Sequence, residues 1–260
     1  MMNRLDSVSN EKIKLAVKIA ASSKARKETG LFFLEGLRLC RDSALTGTVI
    51  RYAFVTDKSY EKFGDDAEFI CSKANEAYLI SETVADKLSL TQTPQGFFCL
   101  CEKCSSLSLS SVDSEGKYIA LENIQDPANL GAICRTAEAL GITGAILCGC
   151  CDRYSPKSQR AAMGSLLRLP VLESDDLCRD IELLKEKGMA VYATSPDSSA
   201  EKITEIPMDG GIVCVIGNEG NGVSDEVFSL CRKVTIPMKG NAESLNASMA
   251  AAITMWEMMK

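Results

Sequence analysis

The stretch Ile212 to Ala251, IVCVIGNEGNGVSDEVFSLCRKVTIPMKGNAESLNASMAA, decides how the chain is read. Its apolar, β-branched opening, Ile212 to Ile216, has the composition of a buried strand. It runs into Gly217-Asn218-Glu219-Gly220-Asn221-Gly222, where three glycines free the backbone for positive φ and close approach to a ligand. A short helical piece leads to a second strand, Lys233 to Pro237, and a second loop of small and polar residues, Met238 to Ser244. A helix from Leu245 to Met259 ends the chain. Each strand end feeds a ligand-ready loop, and too little chain lies between them for a separate domain, so both loops are expected at one edge of one sheet. Glycine is also the ordinary turn residue, and the pattern alone leaves both a pocket and a pair of turns open.

The glycine order, G-x-x-G-x-G, is not the G-x-G-x-x-G of a dinucleotide loop, and it comes late in the chain rather than in a first βαβ unit. Glu219 occupies the place where a phosphate would sit. A carboxylate beside exposed backbone N–H and C=O groups suits a cationic or zwitterionic ligand better, which disfavours a simple nucleotide-binding protein.

At 260 residues, with 46% hydrophobic and 25% charged residues, the composition is that of a soluble globular protein of one large or two modest domains. No apolar run is long enough for a membrane span, and the N-terminus lacks the apolar core of a secretory signal, so a cytoplasmic protein is expected. In a reducing compartment the 12 cysteines read as small buried apolar residues. The clusters Cys99-x-Cys101-x-x-Cys104 and Cys148-x-Cys150-Cys151 lack paired C-x-x-C halves, and the chain has no histidine, so no metal site is expected. The same absence removes every Ser-His-Asp or Cys-His mechanism. Net charge is −6, but residues 1–41 hold nine Lys/Arg against four acids, a local +5 that leaves −11 on the rest. Such a basic segment on an acidic body fits either RNA contact through one region or an ordinary solvated helix face.

Along the chain, residues 9–22 read as an amphipathic helix and Ser22 to Lys27 as a small basic connector. Strands are expected at Leu31–Leu34, Tyr52–Val55, Glu68–Cys71, Ala77–Ile80 and Gly96–Cys101, with helices after Gly36 and from Glu82 to Leu88. That alternation is a compact α/β domain over residues 1–104. The serine-rich segment 105–117 reads as a linker. The second domain, 118–260, opens with a strand at Tyr118–Leu121, a turn-rich loop, and a helix from Leu130 to Leu140 with Asn129 as N-cap and Gly141 past its end. Leu130, Ile133, Ala137 and Leu140 form its core stripe. Arg135 points elsewhere, framed by small residues; a ligand-facing arginine and a solvent-facing one paired with Glu138 are both consistent with this. Further strands at Gly144–Cys148 and Met189–Thr194, with helices near Pro156–Gly164 and Asp176–Lys187, complete a parallel sheet. Ligands of such sheets gather beyond the carboxyl ends of the strands, where the loops after Leu121, Ala193, Ile216 and Ile236 meet.

Three of these segments carry a resemblance. Asn123-Ile-Gln-Asp-Pro-Ala-Asn129-Leu-Gly-Ala-Ile-Cys-Arg135-Thr-Ala137 resembles the first motif of the SpoU/TrmH family of RNA ribose 2′-O-methyltransferases. Ile216 to Val223 resembles the second, and Ile236-Pro237-Met238 through Ser244-Leu245-Asn246-Ala247-Ser248 the third, all in order and with matching spacing. Phe33-Leu34-Glu35-Gly36 and Thr93-Pro94-Gln95-Gly96 are similar to the family's substrate-binding domain, so the likeness spans nearly the whole chain.

The resemblance implies an α/β protein with a ribosomal-protein-like N-terminal RNA-binding domain. Its C-terminal parallel-sheet domain would be threaded into a deep trefoil knot and paired as a homodimer. It implies S-adenosylmethionine as cofactor, held by Thr194, Gly217, Asn218, Glu219, Gly220, Ile236, Met238, Leu245 and Asn246. It assigns Arg135, Asn129, Glu219, Ser244 and Asn246 to catalysis, and a structured RNA, most readily 23S ribosomal RNA, as substrate. Lys24, Arg26, Lys27, Arg38 and Arg135 would face that RNA. A guanidinium is a poor general base. Arg135 is therefore better cast as a bidentate phosphate grip that stabilises developing alkoxide. The alternatives are a transfer-RNA methyltransferase and a noncatalytic RNA-binding assembly factor of the same fold; intact Arg135, Glu219 and Asn246 weigh against the latter.

Overall fold

Alternating strands and helices occupy residues 2–260, the part of the chain that the computed structural model describes. They separate into two units: residues up to Ser105 together with Tyr154–Leu167, and Ser106–Arg153 together with Arg168–Lys260.

The first unit runs β1 (Asn3–Leu5), α1 (Glu11–Ala21), α2 (Ser23–Thr29), β2 (Leu31–Glu35), α3 (Leu37–Leu45) and β3 (Ile50–Thr56). It continues through α4 (Asp57–Lys62), α5 (Gly64–Lys73), β4 (Ala74–Ile80), α6 (Glu82–Leu88) and β5 (Phe97–Glu102). Its five strands lie in the order β1-β4-β3-β5-β2, with β5 antiparallel to both neighbours. Buried side chains pack on both faces, Ile13, Phe33, Phe54 and Leu100 on one and Phe32, Ile50, Phe97 and Cys99 on the other. Each such side chain contributes roughly 1.5–3 kcal/mol on leaving water.

Two expectations fail here for identifiable reasons. Glu68–Cys71 is not a strand but the middle of α5, which buries Ala67 and Ile70 one turn apart and carries Asp65 and Asp66 in its first turn and Lys73 in its last. The basic connector after Ser22 is a helix, α2, because the Ser22 hydroxyl accepts from the Ala25 amide and Gly30, at φ 68°, closes the far end.

The second unit comprises β6 (Lys117–Glu122), α7 (Pro127–Leu140) and β7 (Gly144–Cys148). After α8 (Pro156–Ala162), which belongs to the first unit, come β8 (Val171–Ser174), α9 (Leu177–Glu186), β9 (Ala190–Thr194) and β10 (Glu201–Lys202). Then follow β11 (Ile212–Ile216), α10 (Asp225–Leu230), β12 (Arg232–Thr235) and α11 (Ala247–Met258). The sheet order is β10-β12-β9-β11-β6-β7-β8, every pairing parallel. Both faces are covered, and β11 is buried at all five positions, as an unbroken β-branched run predicts.

The excursion 154–167, expected inside the second domain, clusters with the first unit because Tyr154 and Leu167 join its core; the Tyr154 ring lies 4.9 Å from that of Phe32. The serine-rich connector is not loose chain. Val112 is buried in the second unit and Leu107 donates its amide to Val171.

Candidate active site

The parallel sheet puts the carboxyl ends of β6, β9, β11 and β12 along one edge, and a cavity of about 500 Å³ opens there. It is walled by Thr194 after β9, Ile216 to Val223 after β11, Ile236 and Met238 after β12, and Glu243 to Leu245 ahead of α11. The volume lies within the range of pockets that enclose a drug-sized ligand. Apolar walls from Ile216, Val223, Ile236, Met238 and Leu245 face the exposed backbone of the glycine loop, a combination suited to a nucleoside carrying a polar tail.

That loop is held shut on itself. Asn218 and Gly222 exchange backbone bonds of 3.0 and 2.9 Å, and the Asn218 Oδ1 accepts from the amides of Gly220 and Asn221. A Cβ on Gly217 would stand 2.1 Å from the carbonyl carbon of Gly222, so only glycine fits.

Three side chains from three distant segments meet beside the cavity. Asn246 donates from Nδ2 to Oδ1 of Asn129 at 3.2 Å, and Asn129 donates from Nδ2 to Oε1 of Glu219 at 2.8 Å. Asn246 also caps α11, its Oδ1 accepting from the Ser248 amide and hydroxyl. Its two ends are thus both fixed, which sets the direction of the chain of amides. Asn129 is buried and lies inside α7. The N-cap is Asp126, whose carboxylate accepts from the Ala128 amide, because Pro127 takes the first helical position. This frees the Asn129 side chain for the contact with Glu219.

Of the residues expected around a cofactor, Thr194, Gly217, Asn218, Glu219, Gly220, Ile236, Met238 and Leu245 line this cavity, together with Ser244. Asn246 is not part of its wall and is bonded to Asn129. Arg135 is not part of the wall. It is exposed on α7, and Glu138, its partner in one of the two open readings, pairs with Arg168 at 2.8 Å. Cavity residues that the sequence did not single out include Pro196, Asp225, Phe228 and Ala250. Phe228 lies one turn into α10, with Lys233 Nζ 4.7 Å from its ring centre, a pairing that no local motif announces.

The expected RNA-facing residues divide. Lys24, Lys27 and Arg38 are exposed. Arg26 is buried at 4% exposure and its Nη1 donates to the carbonyls of Ile19 and Ala20, so it closes the end of α1 instead of meeting RNA. All 12 cysteines are free thiols, and burial pushes Cys134, Cys150, Cys214 and Cys231 up to about 12, where they are inert. Among the described residues no cluster is placed to hold a metal, and no helix is long and apolar enough to cross a membrane.

A parallel α/β domain with a cavity of this size among its late loops is built to hold a ligand at its sheet edge, and comparison with known proteins names its class. The SpoU rRNA Methylase family profile matches residues 116–256, and that of the MRM3-like substrate binding domain residues 10–99. The chain belongs to the SpoU rRNA Methylase family and is a methyltransferase. It is 29% identical, over 99% of both chains, to the 23S rRNA (guanosine(2553)-2′-O)-methyltransferase RlmP of Bacillus subtilis. An uncharacterised tRNA/rRNA methyltransferase of Synechocystis is 31% identical over 90% of this chain and 86% of its own. Among solved structures, the AdoMet-bound rRNA methyltransferase of Sinorhizobium meliloti superposes with a TM-score of 0.88 at 27% identity, covering 99% of this chain and 97% of that one.

Proposed function

We propose that the protein methylates a ribose 2′-hydroxyl of ribosomal RNA, with S-adenosylmethionine bound in the cavity at the sheet edge. The observation that carries this reading is the chain Asn246–Asn129–Glu219, which joins all three motif segments beside that cavity. Support for the substrate comes from the full-length likeness to a 23S rRNA 2′-O-methyltransferase.

The residues present fit such a cofactor. Gly217 and Gly220 leave the backbone bare for close approach, the apolar wall suits an adenine, and Glu219 brings negative charge toward a cationic donor. Bound there, S-adenosylmethionine would supply an electrophilic methyl group, which the ribose oxygen takes as the carbon–sulfur bond breaks and the hydroxyl proton passes to water. The protein's part is positioning, which can supply several kcal/mol of such a barrier. Asn129 and Asn246 shape the pocket by fixing Glu219 and the start of α11, and Ser244 orients the ribose, while Arg135, exposed and outside the cavity wall, grips the adjacent phosphate. The first unit reads the RNA, through Lys24, Lys27 and Arg38.

The same reading includes a trefoil knot, and action in the cytoplasm, where ribosomal RNA is met. It also includes a homodimer. Met249, Ile253 and Trp256 form an exposed apolar stripe on α11, which packs against α7 on another face. Trp256 is 57% exposed, unusual for an indole with nothing to cover it.

The test is radiolabelled methyl transfer from S-adenosylmethionine to ribosomal and transfer RNA, followed by the same assay on RNA carrying a 2′-deoxynucleotide at the labelled position. Label confined to ribosomal RNA and abolished by the 2′-deoxy substitution is expected. Persistent label would mean base methylation, and label on transfer RNA alone would move the substrate. Calorimetry that detected no S-adenosylmethionine binding would leave the noncatalytic alternative. Sedimentation of Trp256→Glu, expected as a monomer, tests the dimer.

A further inference from the structure

The glycine loop that floors the cavity is tied at both of its ends to two consecutive residues, Glu122 at the end of β6 and Asn123 just past it. At the near end Asn218 donates from Nδ2 to the backbone carbonyl of Asn123 at 2.8 Å. At the far end both oxygens of Glu122 are taken by Ser224, Oε2 by its amide at 2.9 Å and Oε1 by its hydroxyl at 2.6 Å. Glu122 is 7% exposed and does not line the cavity. A buried carboxylate with two donors from one residue is a strong and directional tether. Asn123, for its part, sits at φ 56°, a left-handed conformation that costs a non-glycine residue energy, and its amide is fixed to the carbonyl of Cys148 at 2.8 Å. The strained backbone turns the Asn123 carbonyl toward Asn218. Gly149 is kept small by the same arrangement, since a Cβ there would stand 2.1 Å from the Asn123 Oδ1.

We propose that Glu122 and Asn123 are positioning residues that clamp the Gly217–Val223 loop in its cofactor-ready shape before the cofactor arrives. This rests on the cavity being the S-adenosylmethionine site. Apart from the Asn129 amide on Glu219, the other bonds within the loop are local, through Asn218 and Gly222. Without the clamp the loop loses two of its ties to the sheet edge, and its internal bonds at Gly220 and Asn221 open more often. The cost then falls on cofactor affinity, because binding must order what was ordered in advance. Chemistry on the filled site is unaffected, since Glu122 touches neither the cavity nor the Asn246–Asn129–Glu219 chain.

Glu122→Gln replaces one acceptor with an amide donor facing the Ser224 amide, and Ser224→Ala removes the hydroxyl from the other side. Calorimetry with S-adenosylmethionine is expected to show a rise in Kd of about tenfold for each variant. The double variant is expected to be no worse than the poorer single one, because both cut the same tether. In methyl transfer, KM for the cofactor rises with kcat held within about twofold. Hydrogen exchange on the ligand-free protein is expected to speed up at the amides of Gly220 and Asn221, a readout independent of activity. Unchanged exchange and Kd in folded Ser224→Ala, additive losses in the double variant, or a fall in kcat at constant KM would each overturn the clamp. Wild-type protein that fails to bind S-adenosylmethionine overturns instead the cofactor reading on which it stands.

Discussion

Asn129 Nδ2 and Glu219 Oε1 are 2.8 Å apart although 90 residues separate them in the chain. Asn129 also accepts from Asn246, so its amide is used at both ends. An aspartate at 129 would keep the shape but bring a second carboxylate against Glu219. Two carboxylates at that separation share a proton. Asn129→Asp is therefore expected to lose on the order of 10²-fold in methyl transfer at neutral pH, part of it recovered as the pH falls and the pair is protonated. Asn129→Ala, which introduces no charge, is expected to show no such recovery. Initial rates across about pH 5–8 for the two variants decide the matter.

Gly217 admits no side chain. An added Cβ would meet the Gly222 carbonyl carbon at 2.1 Å and the Val223 nitrogen at 2.2 Å, both backbone atoms that cannot swing aside. Gly217→Ala is expected to remove cofactor binding in calorimetry, while Gly220→Ala, whose nearest contact within the protein is the Asn218 side chain at 3.4 Å, keeps the loop's shape and weakens binding less. Equal binding by both would mean that the loop does not touch the ligand.

Arg135 is exposed and sits outside the cavity wall, so its removal leaves the fold and cofactor affinity intact. Arg135→Ala and Arg135→Lys are both expected to lose at least about 10²-fold in kcat, because lysine cannot reproduce a bidentate grip on a phosphate. Near-full transfer by Arg135→Lys would refute the grip.

Which parts of this were readable beforehand follows from how local each cause is. β11 announced itself through five β-branched or apolar residues in a row, and it and α6 both stand where the sequence puts them. The four loops at the carboxyl edge followed from an all-parallel sheet. Asn129 looked like a helix cap because Asn is a good one; only with Asp126 in that role does its side chain become available to Glu219. Arg26 looked like any other cation of a basic segment. Its burial depends on where α2 turns back against α1, which composition does not encode. Tyr154 and Leu167 likewise read as second-domain residues until packing assigned them elsewhere.

That difference makes a test within the basic segment. Arg26→Gln breaks two bonds from a buried cation to the end of α1 and is expected to destabilise the first unit by about 2–3 kcal/mol, seen as a lower urea midpoint. Lys27→Ala and Arg38→Ala, both exposed, are expected to leave stability within about 0.5 kcal/mol. These two instead weaken RNA binding and lower its salt dependence, because each phosphate contact releases counterions. Binding isotherms at several salt concentrations separate the two classes.

The first unit also carries a pH-sensitive joint between α1 and β4. Glu76 accepts from the Tyr78 hydroxyl and from Lys12 Nζ at 2.9 Å, and these two, the tyrosine foremost, hold its carboxyl below the ordinary value of 4.5. A carboxyl depressed in the folded state adds stability that is present above its unfolded value and lost as pH falls through the folded one. Lys12, raised chiefly by the same carboxylate, contributes in the opposite sense, but only far into the alkaline range. Glu76→Gln is therefore expected to lower the urea midpoint by a constant amount from neutral pH down to about pH 5. Below that the two curves converge, since acid removes from the wild type the charge the variant already lacks. The Lys12 ammonium lies 4.4 Å from the Tyr52 ring centre and keeps that contact in the variant. A gap between the curves that persisted undiminished to about pH 2 would assign the effect of Glu76 to packing rather than charge.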